Sequence, residues 1–571
     1  MPTAAGTAVR EHAAGTPEPR RRVARRGRKS LVGGGVSLAA GSVVSRLTGF
    51  VRSAIVVAAL GTGLFADGYN VANTVPNILY ILLVGGALNS VLVPQLVRAA
   101  RRDPDGGVAY TDRLVTAVCT LLLVLTTITV VCAPWIVSAY AHFEGAQRNI
   151  TVTLARYCLP QIFFYGAFAL LSEVLNARGK SGPPAWTPIL NNIVVIAVFA
   201  AYLAVARGAD DAGDVTPDQL RLLGIGTTLG IVVQASTLLP YVREAGVRLR
   251  PRFDWRGHGL GAPLRMAGWA VAMVGVSQLA YWLTTRLAAT VSERAARDGI
   301  GHGVGYTAYA NAQLLWIVPH GVVTVSLATM LMPRVSRAAA DGELEAVRAY
   351  IARGLRFNAA AVVPCAFVFL ALGPQITAVV FQHGATDAAD TRAMGLMLCA
   401  FAPGLIAYSA GYLIQRGLYA VQDARAPFWA NVAMAATCSA LSVGAYLTLP
   451  LRWSVTAMAA AYSLSQVVGL VWMAAVLRRR LGHLDSASVI RTHLALGTAS
   501  AMAAAGSWVL AAICVRELGD GPVGATVALG LGAAVFAALA GPVVLPTLKA
   551  PRRAPTRPAR QTTRAPGRHR G

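Results

Sequence analysis

The sequence predicts an all-α polytopic membrane protein with about fourteen transmembrane helices: two six-helix repeats of the same orientation plus two C-terminal helices. Three observations carry this. Hydrophobic residues make up 55% of the chain and charged residues only 13%, against roughly 25% charged in soluble domains. Apolar windows long enough to cross ~30 Å of hydrocarbon recur along nearly the whole length. The chain also repeats itself: LVPQLVRAA (92–100) returns as LMPRVSRAA (331–339), and LNARGKSGPPAW (175–186) as LYAVQDARAPFW (418–429), at offsets of 239 and 243 residues. Two matches at one period mark a duplicated unit of about six spans. An even number of spans returns the chain to its starting side, so the halves share an orientation and are related by an axis along the membrane normal.

In chain order, residues 1–35 read as a disordered basic tail. The first bundle, 36–242, holds windows at 36–60, 67–97, 114–140, 151–177, 184–206 and 219–242. The second, 262–477, holds 262–291, 304–333, 355–381, 392–420, 427–449 and 454–477. Two further windows, 491–515 and 522–548, lie in a segment 485–548 outside the repeat, and 549–571 is a second disordered basic tail. Charge orders this list. Lys and Arg concentrate in the tails and in alternate loops such as Arg98–Arg113, Arg243–Arg265, Arg334–Arg356 and Arg478–Arg491, whereas one intervening loop is acidic (Asp210, Asp211, Asp214, Asp218). The positive-inside bias then places both termini in the cytoplasm, on a multi-pass cell-membrane protein.

The net charge of +26 does not indicate a nucleic-acid partner. The tails are rich in Pro and Arg without stacking aromatics, which suits topology determinants that touch anionic lipid head groups. All seven cysteines sit in apolar windows with no CxxC pair, so neither disulfides nor a metal site is expected. The GKS at 179–181 has Val174 where a phosphate loop needs glycine, so no nucleotide site follows. No HExxH and no nucleophile elbow occurs. A transporter without covalent catalysis or cofactor is the expectation.

The candidate functional residues are charges inside these windows. Arg46 and Arg52 lie in VVSRLTGFVRSAIVV, where a lipid-facing helix would carry none. A charge at that depth costs several kcal/mol or more and is ordinarily turned inward. They stand ~9 Å apart along a helix and ~120° apart around it, flanking a cavity, with Gly49 between them leaving room for a neighbour. Arginine's planar fork suits an anionic, phosphate-bearing substrate. Arg286 and Arg416, in the second half, would complete a two-sided clamp, with at least one of them pointing into the central cavity. Asp67, at the start of the second helix and within reach of Arg52, and Glu173, at the inner end of the fourth, are candidate gating or coupling groups. Pro76, Gly85, Gly86, Pro319 and Gly321 are candidate hinges, together with Gly49.

The segment SRLTGFVRSAIVVAALGTGLFADGYNVANTVPNILYILLVGGALNSVLVPQL (45–96) resembles the opening of the MurJ/MviN family of lipid II flippases, within the multidrug/oligosaccharidyl-lipid/polysaccharide flippase superfamily. The resemblance continues through VLNARGKSGPPAWTPILNN (174–192), FQHGA (381–385) and GLYAVQDARAPF (417–428). It implies export of undecaprenyl-pyrophosphate-linked disaccharide-pentapeptide from the inner to the outer leaflet, for peptidoglycan biosynthesis and cell shape. It also implies cavity arginines on the pyrophosphate and a lipid-tail groove formed partly by the last two helices. Arg46, Arg52 and Asp67 match the family's charged positions. Tyr80, Ile81, Gly85 and Leu314 stand where it carries further charged residues, with Gln313 beside Leu314, and Thr284 lies near a helix-seven position that some members use for sodium. The coupling ion, or coupling to membrane potential, is therefore left open. Competing readings are a flippase or exporter for another polyprenyl-linked polysaccharide precursor or a drug, and a transport-inactive scaffold that gathers cell-wall synthesis proteins.

Overall fold

The computed structural model describes residues 41, 44–82, 96, 104–105, 107–205, 215–247, 249–254, 261–300, 303–482 and 485–549. The expected N-terminal tail, residues 550–571, Gly85, Gly86, Asp210, Asp211 and Asp214 lie outside them. Every described element is helical. We label the long segments α1 (44–60), α2 (Leu64–Leu82), α3 (Val108–Val131), α4 (Gly145–Ala177), α5 (Gly182–Val205), α6 (Pro217–Glu244) and α7 (Gly261–Arg297). They continue as α8 (Tyr306–Ala340), α9 (Leu344–Phe381), α10 (Ala388–Ala420), α11 (Arg425–Thr448), α12 (Leu451–Leu481), α13 (Ser486–Leu518) and α14 (Pro522–Lys549).

Eleven helices among the described residues are long and apolar enough to cross a membrane. The exceptions are α1, which has two arginines in 17 described residues, and α2 and α7, which carry Asp67, Asn70 and Asn73, and Gln278, Thr284 and Arg286. In α2 and α7 several of these polar groups face protein: Asp67 and Thr284 are buried, and Asn70 bonds Thr307. The lipid-facing kind is illustrated by α3, whose Leu121, Leu123, Ile128 and Val131 are exposed. Several helices overshoot their apolar windows: α7 runs to Arg297 and α9 begins at Leu344. A helix does not end where the hydrocarbon does, since its backbone bonds stay satisfied in water.

The ends are set by local chemistry. Asp387 accepts from the Asp390 N–H and Asp390 reaches back to the Asp387 N–H, a reciprocal box that starts α10. Thr216 and Gln219 do the same for α6, each such cap contributing about 0.5–2 kcal/mol. α3 breaks at Cys132 and resumes as Ala133–Tyr140, with proline in the first turn where its missing N–H is harmless. α9 is kinked at Leu372 (φ −120°, ψ 15°), two residues before Pro374.

Helices α1–α6 enclose buried clusters around Leu60, Tyr69, Leu154 and Phe199, and around Leu114, Phe168 and Leu238. In the second half α10 packs along α9, α12 and α8, and α7 along α11. The pair α13–α14 packs on α9, through Leu372, Ala503, Ala511 and Phe536. A further cluster joins the halves: Val57 of α1 and Val71 of α2 pack with Val291, Tyr309 and Trp316 of the second half. We call the end that carries the α1–α2 turn the outer end, following the charge pattern.

Candidate functional site

The two arginines of α1 face different ways, Arg46 toward the second half and Arg52 toward the first. Arg46 is exposed and Arg52 is half-buried. Neither has a hydrogen-bond or ion-pair partner among the described residues. Arg52 lies within electrostatic reach of the Tyr69 and Tyr165 hydroxyls in the first half. Arg46 reaches across to α8, where its guanidinium occupies the space that a Cβ at Gly321 would fill. The backbone there is a π-turn, His320–Thr324, following Pro319. A turn of this kind widens the helix and disturbs its bonding ladder, as is frequent at functional sites. Gly49 faces a helix rather than open space: Asn192 of α5 lies against it and donates to the Ser45 carbonyl and the Thr48 hydroxyl.

Gly321→Ala should therefore act through Arg46. The added methyl meets the far end of a flexible side chain, so the helix tolerates it while the guanidinium is displaced. We expect normal abundance and thermal stability with a clear loss of transport. Unchanged transport in a complementation assay would show that the notch does not position Arg46.

At the outer end the halves are latched together. α8 begins after Gly305, whose missing side chain leaves the helix without a cap of its own. Asp67 of α2, fully buried, supplies it instead: the carboxylate accepts from the Thr307 N–H at 2.7 Å and the Tyr306 N–H at 3.2 Å. A Cβ at Gly305 would fill the Asp67 oxygen's place. Asp67 is thus engaged with the opposite half and not with Arg52. Around it Thr62 donates to Asp390 (2.7 Å), Asn70 to Thr307 (2.9 Å), Thr74 shares a hydrogen bond with Tyr306 (2.9 Å), and Ser53 donates to Asn311 (2.6 Å). The turn after α9 adds backbone contacts, since Ala385 N–H donates to the Ala58 carbonyl at 2.9 Å and Gly384 packs directly on it. Among the described residues every hydrogen bond between the two halves lies toward this end.

Gly384 has φ +63°, and a Cβ there would overlap the Ala58 carbonyl oxygen. Gly384→Ala meets rigid backbone and the left-handed penalty of about 1 kcal/mol or more. It should loosen the seal and raise the outside accessibility of a cysteine introduced at Asn311. Unchanged labelling by an impermeant thiol reagent would count against the seal.

The other charges separate into two groups. Arg286, read from the sequence as a cavity cation, joins the outer latch: its guanidinium donates to the Ala139 carbonyl (3.1 Å), contacts His142 Nε2 (3.0 Å) and stacks on Trp282. It lies three turns before Arg297, which pairs with Glu144 of the first half at 3.3 Å. Distance along a helix does not reveal which surface an arginine meets. Arg416 donates to the Tyr412 hydroxyl at 2.7 Å and stacks on the same ring. Tyr412 in turn lines a cavity of about 530 Å³ inside the second half. The His320 ring meets Tyr412 edge-on at 5.1 Å and bonds Ser409. Since His320 adjoins Gly321, the sequence Arg46, His320, Tyr412, Arg416 crosses from one half into the other. Glu173 is buried, accepts from Asn176 at 3.4 Å and has no ion pair among the described residues. Pro76 is carried inside α2. No cluster of three or more potential metal ligands occurs among the described residues.

Sequence reasoning missed Gly305, His320, Gly384 and Tyr412, and read Gly321 as a hinge of the eighth helix rather than as the notch that holds Arg46. Only the Pro319–His320–Gly321 triplet, an unusual run in an apolar window, carried a signal.

Solved structures of MurJ and of MATE-family proteins share this fold. A MurJ structure in an inward closed conformation superposes with TM-score 0.70, covering 89% of this chain and 98% of that one at 17% identity. An inward-facing multidrug-resistance transporter of the MATE family gives 0.60, over 77% of this chain and 96% of that one at 14% identity. At these identities the likeness establishes the fold. In sequence, "Lipid II flippase MurJ" of Burkholderia cenocepacia is 28% identical over 68% of this chain and 72% of its own length. "Probable lipid II flippase MurJ" of Rhizobium tropici is 26% identical over 81% and 86%. The family model described as "Lipid II flippase MurJ" matches residues 56–524, and the chain belongs to that family.

Proposed function

We propose that this chain carries lipid II, the undecaprenyl-pyrophosphate-linked disaccharide-pentapeptide, from the inner to the outer leaflet of the cell membrane by alternating access between its two halves. The observation that carries the reading is the pairing of a latched outer end with two arginines, Arg46 and Arg52, that have no protein partner among the described residues. Two neighbouring cations without a counter-charge are stabilised by an anion that meets them. Arg416, joined to Arg46 through His320 and Tyr412, extends the clamp into the second half. A ligand gripped by both halves can bias them toward closure around it, which is what a rocking transporter requires.

In this reading both termini are cytoplasmic, the basic tails rest on anionic lipid, and α13–α14 border the lipid tail. No bond is made or broken by the protein and no cofactor is needed. The family departures at Tyr80, Ile81, Gly85 and Leu314 are met by relocating positive charge to Arg416. The test is depletion of the protein in its own cell, with lipid II at the outer leaflet measured directly. Disappearance of outer-leaflet lipid II with accumulation inside supports the reading. Normal exposure with an altered surface polymer would replace lipid II by another polyprenyl-linked precursor. Rescue by the Arg46→Ala/Arg52→Ala double variant would favour a scaffold.

A further inference from the structure

The cavity inside the second half has a lining unlike that of the arginine site beside it. Its volume, about 530 Å³, falls in the range of small-molecule sites, roughly 300–1,000 Å³. α7, α8, α10, α11 and α12 contribute its walls, with Ile81 of α2 at its edge, and no charged side chain is among the described lining residues. Polar groups nevertheless converge on it. The amides of Gln278 and Gln313 and the hydroxyls of Tyr408 and Tyr462 point to it without hydrogen-bond partners among the described residues. These amides and phenols are reached by water rather than sealed off, and a ligand that displaces that water must offer polar groups in its place.

We infer that this cavity is a saccharide subsite: it takes the uncharged sugars of a glycosyl-diphosphate lipid while the diphosphate stays at the neighbouring arginines. A sugar presents hydroxyl and acetamido groups at its edge and apolar C–H surface on its face. Neutral amides and phenols match the edge, and the rings of Tyr281, Tyr408 and Tyr412 match the face. A carboxylate-bearing peptide would lose its hydration there without gaining a counter-charge, and a hydrocarbon tail would leave the amides unmet. Position supports the same assignment. Tyr412 is both a wall of the cavity and the hydrogen-bond partner of Arg416, and His320, beside the Arg46 notch, abuts it. Charge at one edge and neutral polarity beyond it is the order of groups along a sugar diphosphate.

The inference rests on the flippase reading, and two lipids separate their fates. The full-length purified protein is titrated with polyprenyl diphosphate and with the same lipid bearing an N-acetylated disaccharide. The wild type should bind the sugar-bearing lipid more tightly. Gln278→Leu with Gln313→Leu should weaken that lipid about tenfold or more, as expected for two neutral hydrogen bonds. Tyr408→Phe, which removes one hydroxyl and no volume, should weaken it about threefold to tenfold. Binding of the bare diphosphate should be unchanged in all of them, which also shows that the variants are folded. Equal losses for both lipids, or none for the sugar-bearing one, overturn the saccharide subsite alone. Failure of the wild type to bind either lipid overturns the flippase reading and the subsite with it.

Discussion

Replacing Arg46 by alanine is expected to abolish transport while leaving the protein at its normal abundance in the membrane. The guanidinium lies in the Gly321 notch of the opposite half and has no ion-pair partner among the described residues, so no native contact partner is orphaned by its removal. What is lost is the ligand's contact. A hydrogen bond to a charged group contributes about 1.5–3 kcal/mol, and a fork makes two, so a loss of more than about a hundredfold in substrate affinity is expected. Arg52→Lys should keep part of the function, because an ammonium preserves charge without the paired donors. Complementation of a depletion strain, with immunoblots for abundance, checks both. Full complementation by Arg46→Ala would remove it from the substrate site.

Asp67→Asn should strike the opposite property, the balance between conformations. The carboxylate meets two peptide N–H groups with two acceptor oxygens. An amide keeps one acceptor and turns an NH2 toward the second donor, leaving a buried N–H unmet at a cost of about 1–3 kcal/mol. That cost falls only on the state in which the outer end is latched. The equilibrium should therefore shift toward outward opening by about 5- to 150-fold, with slowed transport. Faster labelling of a cysteine at Asn311 by an impermeant reagent, in a background of unreactive native cysteines, reads the shift. Labelling equal to that of the parent would return Asp67 to a purely structural role.

How much of this was legible beforehand follows from what each residue's chemistry broadcasts. Arg46, Arg52 and Asp67 stood out because a charge in an apolar window has few innocent explanations. The duplicated LVPQLVRAA and LMPRVSRAA segments likewise mark a repeat in the sequence itself. The partners stayed hidden. Asp67 bonds backbone 239 and 240 residues away, and a peptide N–H is the same in every residue. Gly321 accommodates Arg46 because it lacks a side chain, and a glycine in an apolar window does not announce what fills the space it leaves. Arg286 was misplaced because its depth along α7 says nothing of its facing, which Ala139 and His142 decide. Gln278 drew no notice, since neutral amides are common in helices that face protein, and Gln313 was marked only as the neighbour of Leu314.

The cap that Asp67 lends to α8 also makes the first turn of that helix a reporter of which way the molecule faces. A helix capped by its own serine or aspartate holds its first amides satisfied in every conformation. Here Gly305 can offer nothing, so the Tyr306 and Thr307 amides are satisfied only while the halves touch. When the latch parts, those two donors must turn to water, and their hydrogens should exchange with solvent at a rate set by the opening itself. A serine at position 305, were it accommodated, would satisfy α8 from within and uncouple the end of the helix from the motion. Glycine there keeps the information, because it leaves the helix dependent on the other half.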